Sequence, residues 1–432
     1  MLSIGSIKKQ LIYHLSVLFA VGVLSCSKSD QPAPTSVTLL TYQNNNADTD
    51  NWIYVTDEDG KILDTKQFAN GQKVILESTN KLPTQKINVT IFSYKILPTG
   101  GESFSFNTYL AVAVNDSWLS GTDKAFIYPK SSVIKSSSLQ ITNYTNATGS
   151  VVDYSVSTYK GGISYSGSQT SNTLSLTFDP SDAPTFYVRA FKNNQPVFKE
   201  FANPSNINSF TANFTTEFQS TGHTLDIPTY AGAHHYQGYI SAFRKNENNI
   251  TYGGGADPSF SGGYIQGLKI YSPAPYKLGY NDGFDFYYTE ILTYFNSANM
   301  IYSKFGQPPT TIPIINYSST VTDKSLFKFA FTVSDSYEYR LSTWQFITPT
   351  YPQGTYWYVY SPMEGKHNIA NIPTEITGKY PGIAVGSLKY TNTTFYRTYD
   401  GFKYDDFIGG RMRPNSGKKL YSREYQSVVL SN

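Results

Sequence analysis

The sequence predicts an all-β protein, a tandem of antiparallel β-sandwich modules, and three observations carry that reading. Apolar and polar residues alternate with period two along the chain, as strands with one buried face require. Aromatic residues are abundant, with 37 Tyr and 27 Phe in 432 residues, and aromatic side chains suit half-buried pleated surfaces. No segment sustains a capped apolar period of 3.6 residues.

The alternation is clearest in Trp52-Ile53-Tyr54-Val55-Thr56, Lys86-Ile87-Asn88-Val89-Thr90-Ile91-Phe92, Leu174-Ser175-Leu176-Thr177-Phe178 and Phe210-Thr211-Ala212-Asn213-Phe214. Later it recurs in Phe284-Asp285-Phe286-Tyr287-Tyr288, Phe327-Lys328-Phe329-Ala330-Phe331 and Tyr356-Trp357-Tyr358-Val359-Tyr360. Asp59-Gly60 and Asn70-Gly71 are hairpin-type turn pairs between such runs. The best helical candidate, Thr289-Glu290-Ile291-Leu292-Thr293-Tyr294-Phe295, is short and β-branched.

A spaced pattern repeats. Leu139-x-Ile141-x-x-Tyr144-x-x-Ala147, then Tyr154, is matched by Leu225-x-Ile227-x-x-Tyr230-x-x-Ala233, then Tyr239. Ile312-x-Ile314-x-x-Tyr317, then Phe327, follows the spacing with substitutions. Leu39, Asn46-Ala47 and Tyr54 match Leu139, Asn146-Ala147 and Tyr154 at an offset of 100. Starts near 38, 138, 224 and 311 suit an immunoglobulin-like sandwich of about 100 residues. A competing offset of 133 pairs Tyr54-Val55 and Phe68-Ala69-Asn70 with Tyr187-Val188 and Phe201-Ala202-Asn203. Both offsets cannot mark equivalent positions.

The first residues carry an export address. Lys8 and Lys9 precede an apolar stretch from Leu11 to Leu24. A membrane span needs about 20 apolar residues, so this stretch has the length of a signal-peptide core. It ends in Val23-Leu24-Ser25-Cys26, which resembles the lipobox of bacterial lipoproteins. That resemblance implies cleavage after residue 25 and a diacylglyceryl group on the Cys26 sulfur. Cys26 is the single cysteine, so it forms no intramolecular disulfide. The polar, proline-bearing run from Ser27 to Thr35 reads as a tether. Ser27, rather than Asp, after the cysteine implies by the same resemblance release from the inner membrane. The expected localisation is the cell envelope, lipid-anchored at the outer membrane, with the leaflet left open.

The expected organisation is a signal peptide at 1–25, a lipid tether at 26–35, and Ig-like sandwiches at 36–135 and 136–222. A β-rich region at 223–432 follows, either one larger domain or two modules split near 310. In the first module, Asn46-Ala47-Asp48, Ile53-Tyr54-Val55, Asp59-Gly60-Lys61, Phe68-Ala69-Asn70-Gly71 and Ile87-Asn88-Val89-Thr90-Ile91 form a set of turns and strands. It resembles the small Ig-like modules of Bacteroidota surface lipoproteins. The resemblance fades beyond residue 140.

Charge narrows the partners. The net charge is +3. Without Lys8 and Lys9, 32 basic side chains face 31 acidic ones. No global field favours nucleic acid, which is not an expected partner. The membrane is one, through the lipid.

The chemistry-bearing motifs are few. Gly162-Ile163-Ser164-Tyr165-Ser166-Gly167 lacks the second glycine of a nucleophile elbow, and the exported part holds only His223, His234, His235 and His367 as bases. His234-His235 on a strand would point to opposite faces. Asp48, Asp50, Asp57 and Asp59, with Asn46, form the weak calcium candidate, against a turn reading of the same residues. Glu290, Glu338, Asp285, Asp335, Asp400, Asp405 and Asp406 are the late carboxylates available to a glycosidase pair. Arg411, Arg413, Lys418, Lys419 and Arg423 form a late basic cluster.

The aromatic cluster Trp344, Tyr351, Tyr356, Trp357 and Tyr358 is the candidate ligand-binding set. Tyr and Trp present apolar faces to sugars and polar tips to water. On a strand, Tyr356, Tyr358 and Tyr360 share one face and Trp357 and Val359 the other, so one face must be core. The expected function is non-enzymatic binding or adhesion at the surface, with a glycan or protein ligand and no cofactor. The alternatives are a carbohydrate-active enzyme using carboxylates of the last 200 residues and a purely structural surface component.

Overall fold

The computed structural model describes residues 36–45, 50–98, 100–121, 136–144, 154–158, 161–162, 165–170, 172–179, 185–193, 195–245, 260–265, 277–284, 286–348, 354–413 and 423–432. The signal peptide, Cys26, the tether, Asp48 and Tyr351 lie outside the described residues. The fold is all-β, with short helices at Phe214–Glu217, Thr374–Lys379 and Tyr404–Met412. Among the described residues no helix is long and apolar enough to cross a membrane.

The first seven strands are β1 (Val37–Asn44), β2 (Asp50–Thr56), β3 (Ile62–Phe68), β4 (Lys73–Ser78), β5 (Lys86–Ile96), β6 (Glu102–Ala113) and β7 (Asp116–Ser120). β1 pairs antiparallel with β4 and parallel with β7. β2, β3, β5 and β6 form the opposing layer in the order β3-β2-β5-β6. Gly60 (φ 85°) and Gly71 (φ 72°) occupy the turns on either side of β3, where a left-handed backbone favours glycine. Leu39, Leu40, Ile53, Val55, Leu76, Ile87 and Val89 fill the space between the layers.

Nine strands follow: β8 (Ser137–Thr142), β9 (Tyr154–Thr158), β10 (Gly161–Gly162), β11 (Tyr165–Thr170), β12 (Thr173–Phe178), β13 (Thr185–Lys192), β14 (Gln195–Ala202), β15 (Ser209–Asn213) and β16 (Gln219–Ser220). The pattern of pairing repeats. β8 is antiparallel to β12 and parallel to β15, and the other layer runs β10-β9-β13-β14-β16. The two layers share a core of their own, including Leu139, Ile141, Leu174, Phe186, Val188 and Phe214.

The third group is β17 (His223–Asp226), β18 (His235–Lys245), β19 (Phe260–Ile265), β20 (Lys277–Tyr280), β21 (Phe286–Tyr294) and β22 (Ala298–Gly306). The last is β23 (Ser319–Asp323), β24 (Ala330–Val333), β25 (Tyr339–Ile347), β26 (Gly354–Pro362), β27 (Lys389–Thr398) and β28 (Glu424–Ser431). The same four-strand winding appears as β19-β18-β21-β22 and as β26-β25-β27-β28. The expected helical candidate around Glu290 is therefore strand β21. Its β-branched residues stiffen χ1 and favour the pleat.

The offset of 100 links equivalent strands. Leu39 and Leu139 lie on β1 and β8, and Tyr54 and Tyr154 on β2 and β9. Leu225 and Tyr239 hold the matching places on β17 and β18. The offset of 133 links β2 with β13, which sit at different places in the winding.

Three of the four-strand sets join edge to edge into one 12-stranded sheet, β19-β18-β21-β22-β28-β27-β25-β26-β6-β5-β2-β3. Residues 36–120 and the region from 223 onward, expected as separate modules, thus share a sheet. At one seam β22 and β28 are antiparallel, from Ala298↔Leu430 to Lys304↔Glu424. At the other, β26 and β6 are parallel, from Gly354↔Ser103 to Tyr360↔Tyr109. An unpaired strand edge presents a row of unsatisfied donors and acceptors, and each seam removes two such edges. Ring stacking reinforces the parallel seam: Phe106 on Trp357 at 4.4 Å and Tyr109 on Tyr360 at 4.8 Å between centroids.

Candidate functional site

The two tryptophans of the expected aromatic cluster are core residues, and Tyr351 lies outside the described residues. Trp344 is 1% exposed and Trp357 is fully buried. The Trp344 Nε1 donates to the Lys324 carbonyl at 2.7 Å, and the Trp357 Nε1 to the Thr108 hydroxyl at 2.9 Å. Period two puts both indoles on the core side with Phe106, Phe329 and Tyr390. Tyr356 and Tyr358 stand half-buried on the opposite face. Tyr358 there packs against the first core.

Of the calcium candidates, Asp48 lies outside the described residues, and Asp50, Asp57 and Asp59 do not gather at one point. Asp50 and Asp57 bracket strand β2, seven residues apart, which at about 3.3 Å per residue separates them by roughly 23 Å. Asp50 pairs with Lys379 at 2.8 Å and Asp59 with Lys366 at 2.6 Å. The Asp57 carboxylate accepts the Asp59 and Lys61 backbone N–H groups at 3.0 and 2.9 Å. These contacts build a turn. Among the described residues no group of three or more His, Cys, Asp or Glu side chains is placed to hold a metal.

His234 and His235 meet edge to face at 4.9 Å, because His234 precedes the strand that starts at His235. His235 stacks on Tyr294 at 4.0 Å. His223 pairs with Asp282 at 2.7 Å.

The late carboxylates hold structural contacts. Asp335 pairs with Arg397 at 2.7 Å. Glu338, its carboxyl pushed up by burial, accepts the Thr398 N–H at 2.8 Å. Asp400 accepts the Phe402 and Arg423 N–H groups, and Asp406 that of Lys403. Asp405 pairs with Arg413, which also reaches Asp116. Asp285 lies outside the described residues.

The basic cluster disperses as well. The Arg411 guanidinium lies over the Tyr360 and Phe407 rings, while Arg413 serves the two aspartates. Lys418 and Lys419 lie outside the described residues.

The structure instead brings together a set that the spacing did not reveal. Across β18, β21, β22 and β28, Tyr239, Glu290, Ser303 and Tyr425 stand directly opposite one another in a single row. On one side of that row Ser241 faces Tyr288, and Tyr288 faces Phe305. On the other side run Gln237, Leu292 and Ile301, then His235, Tyr294 and Asn299. Most of these side chains are half-buried, whereas alternate residues Tyr236, Ile240, Tyr287, Ile291 and Tyr302 pack in the core behind.

Glu290 sits at the centre of this face. Its Oε1 accepts the Tyr239 hydroxyl at 2.8 Å and its Oε2 accepts the Tyr288 hydroxyl. Burial and the carboxylate charge push both phenols above the usual tyrosine range, so both stay protonated donors. Tyr288 stacks on Phe305 at 4.5 Å, and Tyr239 approaches Tyr288 edge-on at 5.8 Å. The result is a polar-tipped aromatic surface around one fixed carboxylate. Glu290 within an alternating strand was the only local sign. The cross-strand register that supplies its partners is a long-range property.

A second buried pair is structural. Arg340, 3% exposed, lies over the Phe329 and Phe331 rings and donates to the Ser342 hydroxyl at 3.2 Å. His367 donates from Nε2 to the Leu326 carbonyl at 2.8 Å and accepts from Arg340 at Nδ1 at 3.3 Å. Burial, then the Arg340 charge, pushes the His367 imidazole down from 6.5 to about 4.

No protein-family model matches the chain, and no curated protein matches it. A solved Ca2+-stabilized adhesin that helps an Antarctic bacterium bind ice is 6% identical, over 85% of this chain and 96% of that one. Its TM-score is 0.12, and the likeness carries no argument.

The His367 shift gives a pH dependence with a definite sign. The unfolded chain takes up this proton at higher pH than the folded one. The contribution is therefore complete above pH 6.5 and is lost as pH falls toward about 4. It is on the order of 3 kcal/mol. Urea unfolding of wild type and His367→Asn checks it. The stability advantage of wild type shrinks by roughly 2–3 kcal/mol from pH 7 to pH 4. An advantage constant over that range contradicts the assignment.

Proposed function

We propose that this protein is a lipid-anchored component of the cell envelope that binds a saccharide without catalysis, using the aromatic face around Glu290. The face is the observation that carries the reading. Tyrosine supplies contact area with few rotors and a polar tip. Here Tyr239, Tyr288, Tyr294, Phe305 and Tyr425 are held on neighbouring strands, with Gln237 and Asn299 among them to bond hydroxyls. None of these side chains belongs to the buried clusters behind the sheet. Rigid strands fix the spacing of the rings before any ligand arrives, which reduces the entropy lost on binding. The units that carry the face are read as sandwich modules of immunoglobulin-like type on a tether. The lipobox-like Val23-Leu24-Ser25-Cys26 and the apolar segment before it support placement at the outer membrane.

Two experiments test the two halves of the reading. On a glycan array the exported chain binds a defined set of saccharides, and Tyr294→Ala weakens those hits about tenfold, equivalent to ~1.4 kcal/mol. Hits unchanged by Tyr294→Ala and Tyr288→Ala would move the site elsewhere, and release of product from a bound glycan would make the protein an enzyme. Metabolic labelling with a palmitate analogue tests the anchor. Wild type takes the label and Cys26→Ala does not; an unlabelled wild type ends the lipoprotein reading.

A further inference from the structure

Among the described residues, Glu290 is a carboxylate without a counter-ion. Its contacts are the Tyr239 and Tyr288 hydroxyls. Among the described residues no Lys, Arg or His side chain pairs with it; the ion pair of Lys304 with Glu424 projects from alternate positions on β22 and β28. A carboxylate has about four acceptor sites, so the two hydroxyls leave roughly half of them open. The rings beside it act in the same direction. The faces of Tyr239, Tyr288, Phe305 and Tyr425 carry negative quadrupole density, which attracts a cation and repels an anion.

We propose that this position receives the ammonium group of an amino sugar, an inference that rests on the saccharide reading of the face. A metal ion fits poorly, since one carboxylate and two phenols fall short of the six to eight oxygens calcium takes. An ammonium needs fewer partners. It donates three hydrogen bonds, and Glu290 offers it a fixed anion flanked by aromatic rings. The pyranose ring lies along the neighbouring tyrosines, and the hydroxyls reach Gln237 and Asn299. The two tyrosine hydroxyls keep the carboxylate from rotating, so its open lone pairs keep one direction.

The test compares three probes by calorimetry on the exported chain: a glucosamine hexamer, its fully N-acetylated counterpart and oligolysine, at a pH where the amines are protonated. Wild type binds the glucosamine hexamer at least tenfold more tightly than the acetylated one. Glu290→Gln keeps the side-chain shape and one acceptor, and it erases that preference. The wild-type preference also shrinks as ionic strength rises, a second readout that needs no variant. Equal wild-type affinity for both hexamers, or a preference that survives in Glu290→Gln, overturns the ammonium assignment and leaves the saccharide face standing. Binding of oligolysine with neither hexamer bound overturns the sugar in favour of a basic peptide. Binding of no probe removes the assignment, and loss of array hits as well removes the saccharide face with it.

Discussion

Edge pairing between strands far apart in sequence is the constraint on which the rest of this structure depends. A four-stranded sheet has two open edges, and each is a row of backbone groups that must find water or another strand. Here three sets of identical winding resolve four of their six edges against one another. The antiparallel seam joins β22 to β28, and the parallel seam joins β26 to β6. Parallel pairing cannot come from a hairpin, so the second seam joins strands distant in sequence, and both cores beside it draw residues from the two units. Its stability comes from what crosses it: Trp357 lies flat on Phe106 and donates to Thr108, and Tyr360 lies flat on Tyr109.

The consequence for β26 is that both of its faces are enclosed. Trp357 and Val359 enter one core, while Tyr360 enters another and Tyr358 packs against it, under a helix that brings Tyr404, Phe407 and Ile408. At the other end of the sheet the two faces differ. Behind β18, β21 and β22 lies a closed core with Tyr236, Ile240 and Ile291. In front, the rings are half-buried and the Tyr239 and Tyr288 hydroxyls converge on Glu290. The same sheet thus presents its aromatic content as packing in one region and as a candidate recognition surface in another. What decides between them is whether another layer covers the strand.

The class of the fold was legible because period two is a local signal. Lys73–Ser78 alternates exposed and buried residues along its whole length, and the glycines of Asp59-Gly60 and Asn70-Gly71 fall in left-handed turns. The recurrence of Leu39, Leu139 and Leu225 was legible too, since each is the third residue of an equivalent strand. The joining of the units was not. Phe106 and Trp357 are 251 positions apart, and nothing in either segment names the other. The same blindness hid the burial of two tryptophans. Trp344 and Trp357 looked like ligand platforms because tryptophan serves both binding and packing, and only their neighbours settle which. Glu290 drew notice merely as one of seven late carboxylates. Its significance lies in register with Tyr239, which is 51 residues away.

The parallel seam is tested most directly by hydrogen exchange of the backbone amides in wild type and Trp357→Ala. Truncating a buried tryptophan costs about 3–5 kcal/mol. If β26 and β6 form one cooperative sheet, the amides of Glu102–Ala113 lose protection together with those of Gly354–Pro362, by about a hundredfold or more. Protection of Glu102–Ala113 that is untouched by the substitution would contradict a sheet shared between the two units.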